Sequence, residues 1–305
     1  MYNSDASVDV AKAIQPRSPA KIATSALILF FGLGLLAFLV FNPRFEWDIV
    51  GKYLFSTTVL QGLKTTVVLT ALAMVIGVVI GTIMALLLLS DFRPGRWLAS
   101  VYLWAFRATP PLIQLIFWYN LAYLVPSIPI GIPFMEPIWV LDANTYITPF
   151  VAAMLGLGLV EGAYMTEIVR AGLQSVDKSQ HDAAKAIGMV PRQSFFRIIL
   201  PQAMRFILPP AGNQVISMAK ATSLVSVIAM KDLLHSVQLI YNRTFEVIPL
   251  LLVAVIWYLV LVTTLTYFQK RIERHYSRGY SQTRISPDDE ELAHDGAPAT
   301  GASKT

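Results

Sequence analysis

The sequence predicts an all-α integral membrane protein with about six transmembrane helices and with both termini in the cytoplasm. Of its 305 residues, 55% are hydrophobic and only 14% are charged, and the mean hydropathy is +0.57. A soluble domain carries about 25% charged residues. The chain has no cysteine, which excludes a disulfide framework and a thiolate metal site. The expected surroundings are therefore a lipid bilayer.

Six apolar runs approach the length of roughly 20 residues that a helix needs to cross the hydrocarbon. One of them, 206–230, holds two prolines, Asn213, Gln214 and Lys220, so we expect it to lie inside the protein or to line a path. The first run, 22–41, is too long for a typical secretory signal, and no cleavage site follows it, so it is interpreted as a retained span. The remaining four runs are 65–89, 97–121, 147–170 and 248–268.

Lysine and arginine positions predict which side of the membrane each connection faces. Most of them fall in the segments assigned to the cytoplasm, and the connection 122–146 has none. Basic residues that flank apolar runs fit membrane topology, so the net charge of +5 predicts no nucleic-acid partner. The cytoplasmic set is Lys12, Arg17, Lys21, Arg93, Arg96, Lys178, Lys185, Arg192, Arg197, Arg205, Lys270, Arg271 and Arg274.

The spans divide the chain into segments with different expected environments. The tail is basic at first and then becomes polar and rich in proline, glycine and alanine, a composition typical of disorder. The proline-dense loop 122–146 is expected to be stiff and ordered. The segments are a cytoplasmic N-terminal stretch at 1–21, an extra N-terminal helix at 22–41, an extracytoplasmic connection at 42–64, a transmembrane core at 65–268 with a cytoplasmic loop at 177–205, and a cytoplasmic tail at 269–305.

The stretch SQHDAAKAIGMVPRQ, residues 179–193, has the features of a short helix closed at both ends. Ser179 is a good N-cap, and Asp182 three residues later fits a capping box. Gly188 suits the left-handed position after a helix, and Pro191 suits the first turn of the next one. Such a helix is marginal alone in water, so it must pack against something. Its own spans or a partner could supply that surface.

Further motifs resemble one known family. HDAAKAIGMVPRQSFFRIILPQA resembles the EAA loop of ABC importer permeases, a match carried by Asp182, Ala183, Ala184, Gly188 and Pro201. FRATPPLIQL and GAYMTEIVRAGLQSV are similar to segments of the polar amino-acid uptake subfamily, and the likeness covers roughly residues 55–280. The chain departs from the pattern at Ser179, where glycine is usual, at Asp182, where glutamate is usual, and at Ala171, where glycine is usual.

The resemblance implies a five-helix permease core, to which the 22–41 helix is added, in the bacterial cytoplasmic (inner) membrane. It implies that the EAA loop forms a coupling helix, which inserts into a groove of a separate ATPase subunit dimer. There Asp182 would meet a basic residue of the ATPase or serve only as a capping acid. The other implied partners are an extracytoplasmic solute-binding protein, a second permease in a homo- or heterodimer, and a small amino-acid substrate.

The sequence supplies no ATP site of its own. It lacks the phosphate-loop motif, a glycine-rich loop that ends in lysine and a hydroxyl residue. We therefore expect the partner to bind ATP and this chain to need no cofactor. No nucleophile–base pair stands out, and the four histidines show no metal-ligand spacing. We therefore expect a chain that is not itself an enzyme.

Polar residues within the spans are candidates for a substrate path, because charge at that depth is costly and usually faces a cavity or the bundle interior. The candidates are Glu161, Lys220, Gln114 and Arg107. Each could instead hold neighbouring helices together. Glu167 and Arg170 are three residues apart, a spacing that predicts a structural ion pair on one helix face. The double proline Pro110–Pro111 predicts a break in the third span.

Two other classes of function stay open at this point. An ion- or proton-coupled secondary transporter or channel would need no ATPase, but such proteins often show repeated halves, and none is evident here. A membrane enzyme or a purely structural subunit is the third class. Neighbouring reading frames that encode a phosphate-loop ATPase and an exported binding protein would favour the importer.

Overall fold

The computed structural model describes residues 19–130 and 139–276, which are almost entirely helical. The all-α prediction is thus confirmed. Short 3₁₀ segments occur at Pro43–Phe45 and Thr222–Ile228, and a π-helical turn at Phe195–Ile199. The helices are α1 Pro19–Phe41, α2 Trp47–Leu54, α3 Thr57–Leu89, α4 Arg93–Ala108, α5 Pro111–Tyr119, α6 Leu121–Leu124, α7 Ala143–Tyr146, α8 Pro149–Gln174, α9 Lys178–Ala186, α10 Pro191–Ser194, α11 Leu200–Ala221, α12 Leu233–Thr244 and α13 Val247–Tyr276.

Three helices of the described residues, α3, α8 and α13, are long and apolar enough to cross a membrane. A fourth span results if the helical run Pro191–Ile228 and α12, bent by 44° at their junction, are counted as one. The apolar part of α1, Ala23–Leu35, is shorter than these. Multiple spans are therefore present, while the count of six and the cytoplasmic termini stay predictions. Most of residues 1–21, and the tail beyond residue 276, lie outside the described residues.

Two helices extend beyond the apolar runs that predicted them. Helix α3 begins at Thr57, well before residue 65, and most of the preceding residues 42–56 are also helical. Helix α13 continues through the basic residues to Tyr276, past the predicted end at 268. Long polar side chains such as Lys64 and Lys270 can lie at a helix end with their charged groups in water, so an apolar run underestimates the helix that contains it.

The predicted break in the third span is present. Helix α4 ends at Ala108 and α5 begins at Pro111, with Thr109 and Pro110 extended between them. Proline lacks a backbone N–H and disfavours helical backbone in the residue before it, so two consecutive prolines stop α4 and start α5.

Helices α3 and α8 form the centre of the fold and approach each other closely at glycines. A methyl group at Gly77 would lie 2.5 Å from Cγ of Glu161, and one at Gly158 would lie 2.8 Å from Cγ2 of Ile76. Gly77 and Gly81 on α3 repeat at four residues, as do Gly158 and Gly162 on α8. Small residues at this spacing let membrane helices pack backbone to backbone, which is where such helices gain most of their association energy.

A second apolar cluster joins α2, α12 and α13 at the other end of α3. Val50 of α2 is 3% exposed and packs with fully buried Leu233 and Val237 of α12. The indole N–H of Trp257 on α13 donates a hydrogen bond to the carbonyl of Leu54 at 2.8 Å. Helix α2 is therefore an integral part of the packed core.

The loop between α6 and α7 contains a hairpin that the sequence did not predict. Strand β1, Ser127–Ile130, pairs antiparallel with β2, Trp139–Asp142, with Ser127 opposite Asp142 and Ile130 opposite Trp139. The connecting residues 131–138 lie outside the described residues. The paired strands give the described part of the 122–146 loop regular structure, while the stiffness expected from its proline content stays a prediction.

Candidate functional site

The predicted two-turn helix is present as α9, Lys178–Ala186, but its N-cap differs from the prediction. Asp177 is the cap, and its Oδ1 accepts a hydrogen bond from the N–H of Ser179 at 2.7 Å. Ser179 lies inside the first turn, so the predicted capping box of Ser179 and Asp182 is wrong. A stronger acceptor two residues earlier takes the free N–H groups first. Hydrogen bonds from the side chain and backbone of Ser179 lower the pKa of Asp177.

The end of α9 matches the prediction. Gly188 has a φ of +76°, and its N–H donates to the carbonyl of Lys185 at 3.0 Å. The N–H of Met189 donates to the carbonyl of Ala184, also at 3.0 Å. These two bonds are the Schellman arrangement, in which a left-handed residue closes the helix and reverses the chain. Pro191 then opens α10.

The alanines of α9 face different directions. Ala183 and Asp182 are exposed, whereas Ala184 is only 1% exposed and packs within this chain. Ala184 therefore packs inside this chain, whereas Ala183 and Asp182 are the residues that α9 exposes to a partner. A hydrogen bond at 3.3 Å from Gln202 on α11 to Gln180 on α9 ties the short helix to the longer one.

An exposed apolar patch surrounds the turn at Gly188, and the sequence analysis did not identify it. Ile187 is 74% exposed, Val190 54% and Phe196 58%. These side chains lie between predicted membrane spans, beside polar residues of α9. Exposed apolar side chains grouped in this way are typical of a protein–protein contact.

Pro201 is the second residue of α11, within a helical run that continues from α10 through the π-helical turn. The π-helical turn Phe195–Ile199 directly precedes it, with the N–H of Leu200 bonded to the carbonyl of Phe195. Proline removes one backbone donor and crowds the carbonyl four residues earlier. The wider turn accommodates both effects, so the chain passes from α10 into α11 without a break.

A cavity of about 340 Å³ lies between α8 and α11, with Pro111 of α5 in its wall. Glu161 lines it and is 2% exposed. Gln214 of α11 lies within hydrogen-bonding reach of this carboxyl group, yet no described residue bonds its Oε1 atom. A buried carboxylate oxygen without a partner is costly unless something else binds it. The cavity therefore has one unsatisfied acceptor that a cationic ligand could meet.

The predicted ion pair between Glu167 and Arg170 is wrong. Glu167 pairs with Arg107 of α4, and the Arg107 guanidinium lies 5.9 Å from the ring centre of Tyr164. No described residue bonds the buried Nε of Arg170. The spacing along α8 would allow Arg170 to pair with Glu167, but the guanidinium of Arg107 on the neighbouring helix α4 binds the Glu167 carboxylate instead. Tyr164 also lines the Glu161 cavity, so Arg107 lies behind the wall of that cavity.

The remaining path candidates have other positions. The amide of Gln114, 7% exposed, donates to the carbonyls of Phe106 at 3.1 Å and Thr109 at 3.0 Å. Gln114 thus satisfies carbonyls that the break between α4 and α5 leaves free, so its contacts in this structure are structural. Lys220 is exposed on α11 and does not line the Glu161 cavity. Tyr164 was missed, although it lies three residues after Glu161 on the same helix face, and Gln214 was noted only as a polar residue of the 206–230 run.

Residues 77–278 match the family described as the binding-protein-dependent transport system inner membrane component. The chain belongs to this family. The match covers α8, α9 and the Glu161 cavity, so both features described above are parts of a transport permease.

Curated relatives of this permease extend the match. The chain is 40% identical over 270 residues to the arginine transport system permease protein ArgU of Corynebacterium glutamicum, covering 88% of this chain and 83% of that relative. It is 35% identical over 247 residues to the L-cystine transport system permease protein TcyB of Bacillus subtilis, covering 81% and 97%. The glutamate/aspartate import permease protein GltK of Escherichia coli is 34% identical over 218 residues, covering 72% and 92%.

Solved structures agree with the sequence relatives. The permease superimposes with a TM-score of 0.63 and 32% identity on a chain of a crystal structure titled an amino acid ABC transporter with histidines, covering 75% of this chain and 98% of that chain. An inward-facing MetNI methionine ABC transporter structure gives a TM-score of 0.59 at 17% identity, which supports the fold alone. The resemblance to ABC importer permeases is confirmed, and a secondary transporter or channel is not favoured.

Proposed function

We propose that this permease moves an amino acid across the bacterial cytoplasmic membrane, as the membrane subunit of an importer driven by a separate ATPase. The curated relatives are named as permeases for arginine, L-cystine and glutamate or aspartate, and the family description places its members in the inner membrane. What these substrates share is the amino-acid backbone, with its ammonium and carboxylate groups.

The observation that carries the proposal is the unsatisfied Oε1 of Glu161 in its cavity. An ammonium group placed there would gain a charge-assisted hydrogen bond, which is stronger than a neutral one. Gln214 would hold the carboxyl group in place, and Tyr164 would form part of the same wall of the cavity. The same contact suits any amino acid, so Glu161 would bind the common part of the substrate.

Coupling to the ATPase takes place at α9 and the turn that follows it. The exposed patch of Ile187, Val190 and Phe196 supplies apolar contact area, and exposed Asp182 supplies a charge for a basic residue on the ATPase. The bond between Gln180 and Gln202 passes a movement of α9 to α11, which carries Gln214 into the Glu161 cavity. ATP binds and is hydrolysed on the partner, and this chain needs no cofactor.

Transport proceeds by alternating access at the interface of two permeases, in a homo- or heterodimer. A loaded solute-binding protein docks on the outer side, where the β1–β2 hairpin and its flanking helices give the loop a defined shape. Closure of the ATPase pair around ATP is transmitted through α9. The free energy of ATP binding to the ATPase thereby changes the side of the membrane from which the substrate can reach Glu161.

The test is uptake by the reconstituted complex of permease, ATPase and binding protein against a panel of labelled amino acids. We expect ATP-dependent uptake of at least one amino acid, with no uptake when either partner is omitted. Uptake driven by an ion gradient without the ATPase would overturn the proposal in favour of a secondary transporter.

A further inference from the structure

A second cavity, of about 630 Å³, lies between the start of α11 and the end of α13. Three cations line it, Arg205 from α11 and Lys270 and Arg274 from α13, together with one carboxylate, Glu273. The salt bridge found in the described part of the chain is the Arg107–Glu167 pair, so none of these cations is neutralised by one. With three cations and one carboxylate in its lining, this basic cavity carries a net positive charge.

The rest of the lining is apolar or hydrogen-bonding. Phe206 and Pro209 of α11 contribute apolar surface to the cavity, and Phe206 is 48% exposed. Gln202 adds an amide group to the cavity. A ligand that fits all of this combines an anionic group, hydrogen-bond donors for Glu273 and an apolar portion.

The position of the cavity narrows the choice of ligand. Lys270 and Arg274 directly follow the apolar part of α13, one of the helices long enough to span a membrane. Basic residues at the end of such a helix lie at the depth of the lipid headgroups. Basic pockets between transmembrane helices on the cytoplasmic side bind phospholipid headgroups, because the phosphate meets the cations while the acyl chains stay in the hydrocarbon.

We propose that the basic cavity is a binding site for an anionic phospholipid whose headgroup carries hydroxyl groups. The phosphodiester contacts Arg205, Lys270 and Arg274, and the headgroup hydroxyls donate to Glu273. The acyl chains follow the exposed apolar faces of α11 and α13. Inorganic phosphate fits less well, because it leaves the apolar surface of the cavity uncovered.

The site is connected to the coupling helix. Gln202 lines the basic cavity and also bonds Gln180 of α9 at 3.3 Å. A lipid that orders the start of α11 therefore orders the attachment of α9 as well. We expect anionic lipid to increase the stimulation of the ATPase by loaded binding protein.

The chain's own tail is the competing occupant, since residues 288–291 read Asp-Asp-Glu-Glu and follow α13 in the sequence. Four consecutive carboxylates complement the cations, but they would also bring like charge next to Glu273. The observations thus favour the lipid, and the experiment separates the two.

The test uses the full permease–ATPase complex in detergent, incubated with phosphatidylglycerol or phosphatidylcholine, with bound lipid counted by native mass spectrometry. We expect retention of phosphatidylglycerol, reduced about tenfold or more in Arg205→Gln/Arg274→Gln, because each juxtamembrane cation adds to the attraction. The control Arg93→Gln/Arg96→Gln removes two exposed charges at the start of α4, outside the cavity, and should retain the lipid.

Three results would overturn the proposal. Equal retention of the two lipids, or an unchanged count in Arg205→Gln/Arg274→Gln, would show that the cavity does not select an anionic headgroup. Displacement of the lipid by excess inorganic phosphate would show a simple anion site. Phosphatidylglycerol binding that occurs only after removal of residues 277–305 would identify the tail as the occupant.

Discussion

Arg107 of α4 forms an ion pair with Glu167 of α8, and the same guanidinium lies 5.9 Å from the ring centre of Tyr164. Tyr164 in turn lines the cavity that contains the buried Glu161. The end of α4, next to the break in its span, is thereby attached to the wall of the candidate substrate site. Glu167 is therefore paired with a residue of another helix, and not with Arg170 of α8 as the sequence predicted.

A double-mutant cycle on stability distinguishes these two arrangements. The side chains of Arg107 and Glu167 are 42% and 36% exposed, so their coupling energy should be modest, about 0.5–1 kcal/mol. We expect this coupling between Arg107→Gln and Glu167→Gln in the thermal unfolding of the complex. The matched cycle of Arg170→Gln with Glu167→Gln should give none. Coupling in the second cycle alone would restore the pair predicted from sequence.

Glu161→Gln should cut amino-acid uptake while the complex still assembles. The amide keeps the shape but loses the charge that would bind an ammonium group, and hydrogen bonds to charged groups contribute about 1.5–3 kcal/mol. Uptake should therefore fall roughly tenfold or more at limiting substrate. Glu246→Gln, at a carboxylate outside the cavity, is the control. Normal uptake by the Glu161 variant would assign that residue a structural role.

Gly81→Ala should destabilise the permease by about 1–3 kcal/mol, the usual cost of overpacking a core. The new methyl group would lie 2.5 Å from Cβ of Met165 and 2.9 Å from backbone atoms of Met165 and Thr166, so α3 and α8 must separate. Gly51→Ala is the matched control, since a methyl group there meets nothing within 4 Å. Thermal unfolding in detergent measures both; equal melting temperatures would refute the close helix approach.

Asp177→Ala should weaken coupling, and Asp177→Asn should preserve it, because asparagine also caps helices. The folded-state pKa of Asp177 lies below its ordinary value of about 3.9, so the cap's contribution is complete above that value and is lost as the pH falls through the lower folded pKa. Stimulated ATPase activity should thus be independent of this group between about pH 5 and pH 8. Equal activity of the alanine variant would mean that the cap is dispensable.

Features set by local chemistry could be predicted from the sequence. Apolar length located α3, α8 and α13, the double proline Pro110–Pro111 located the break, and Gly188 located the left-handed turn, since each depends on a few neighbouring residues. The helix ends were less accurate because polar residues such as Lys64 extend a helix beyond its apolar run. Resemblance of the motifs, rather than any single residue, identified the family.

Features set by contacts between distant segments could not be predicted. The partner of Glu167 lies on another helix, and the pattern along α8 contains no information about it. Whether Ala183 or Ala184 faces outward depends on how α9 rests on the rest of the chain. The strand Ser127–Ile130 depends on pairing with Trp139–Asp142, which is separated from it by residues 131–138. The Glu161 cavity is lined in part by Gln214, which lies on a separate helix, α11.

The central claim is that α9 and its turn at Gly188 transmit ATP-driven closure to the spans. Gly188→Val tests it most directly, because valine strongly resists the φ of +76° while a side chain there meets nothing within 4 Å, so the effect is conformational. Gly188→Asn, which tolerates the left-handed region, is the control.

The decisive measurement is ATPase activity of the reconstituted complex with and without loaded binding protein. For Gly188→Val we predict normal membrane insertion and unchanged basal activity of the ATPase subunits, with most of the stimulation by loaded binding protein lost. Gly188→Asn should keep that stimulation. Full stimulation in the valine variant would contradict the account and reduce α9 to a connector.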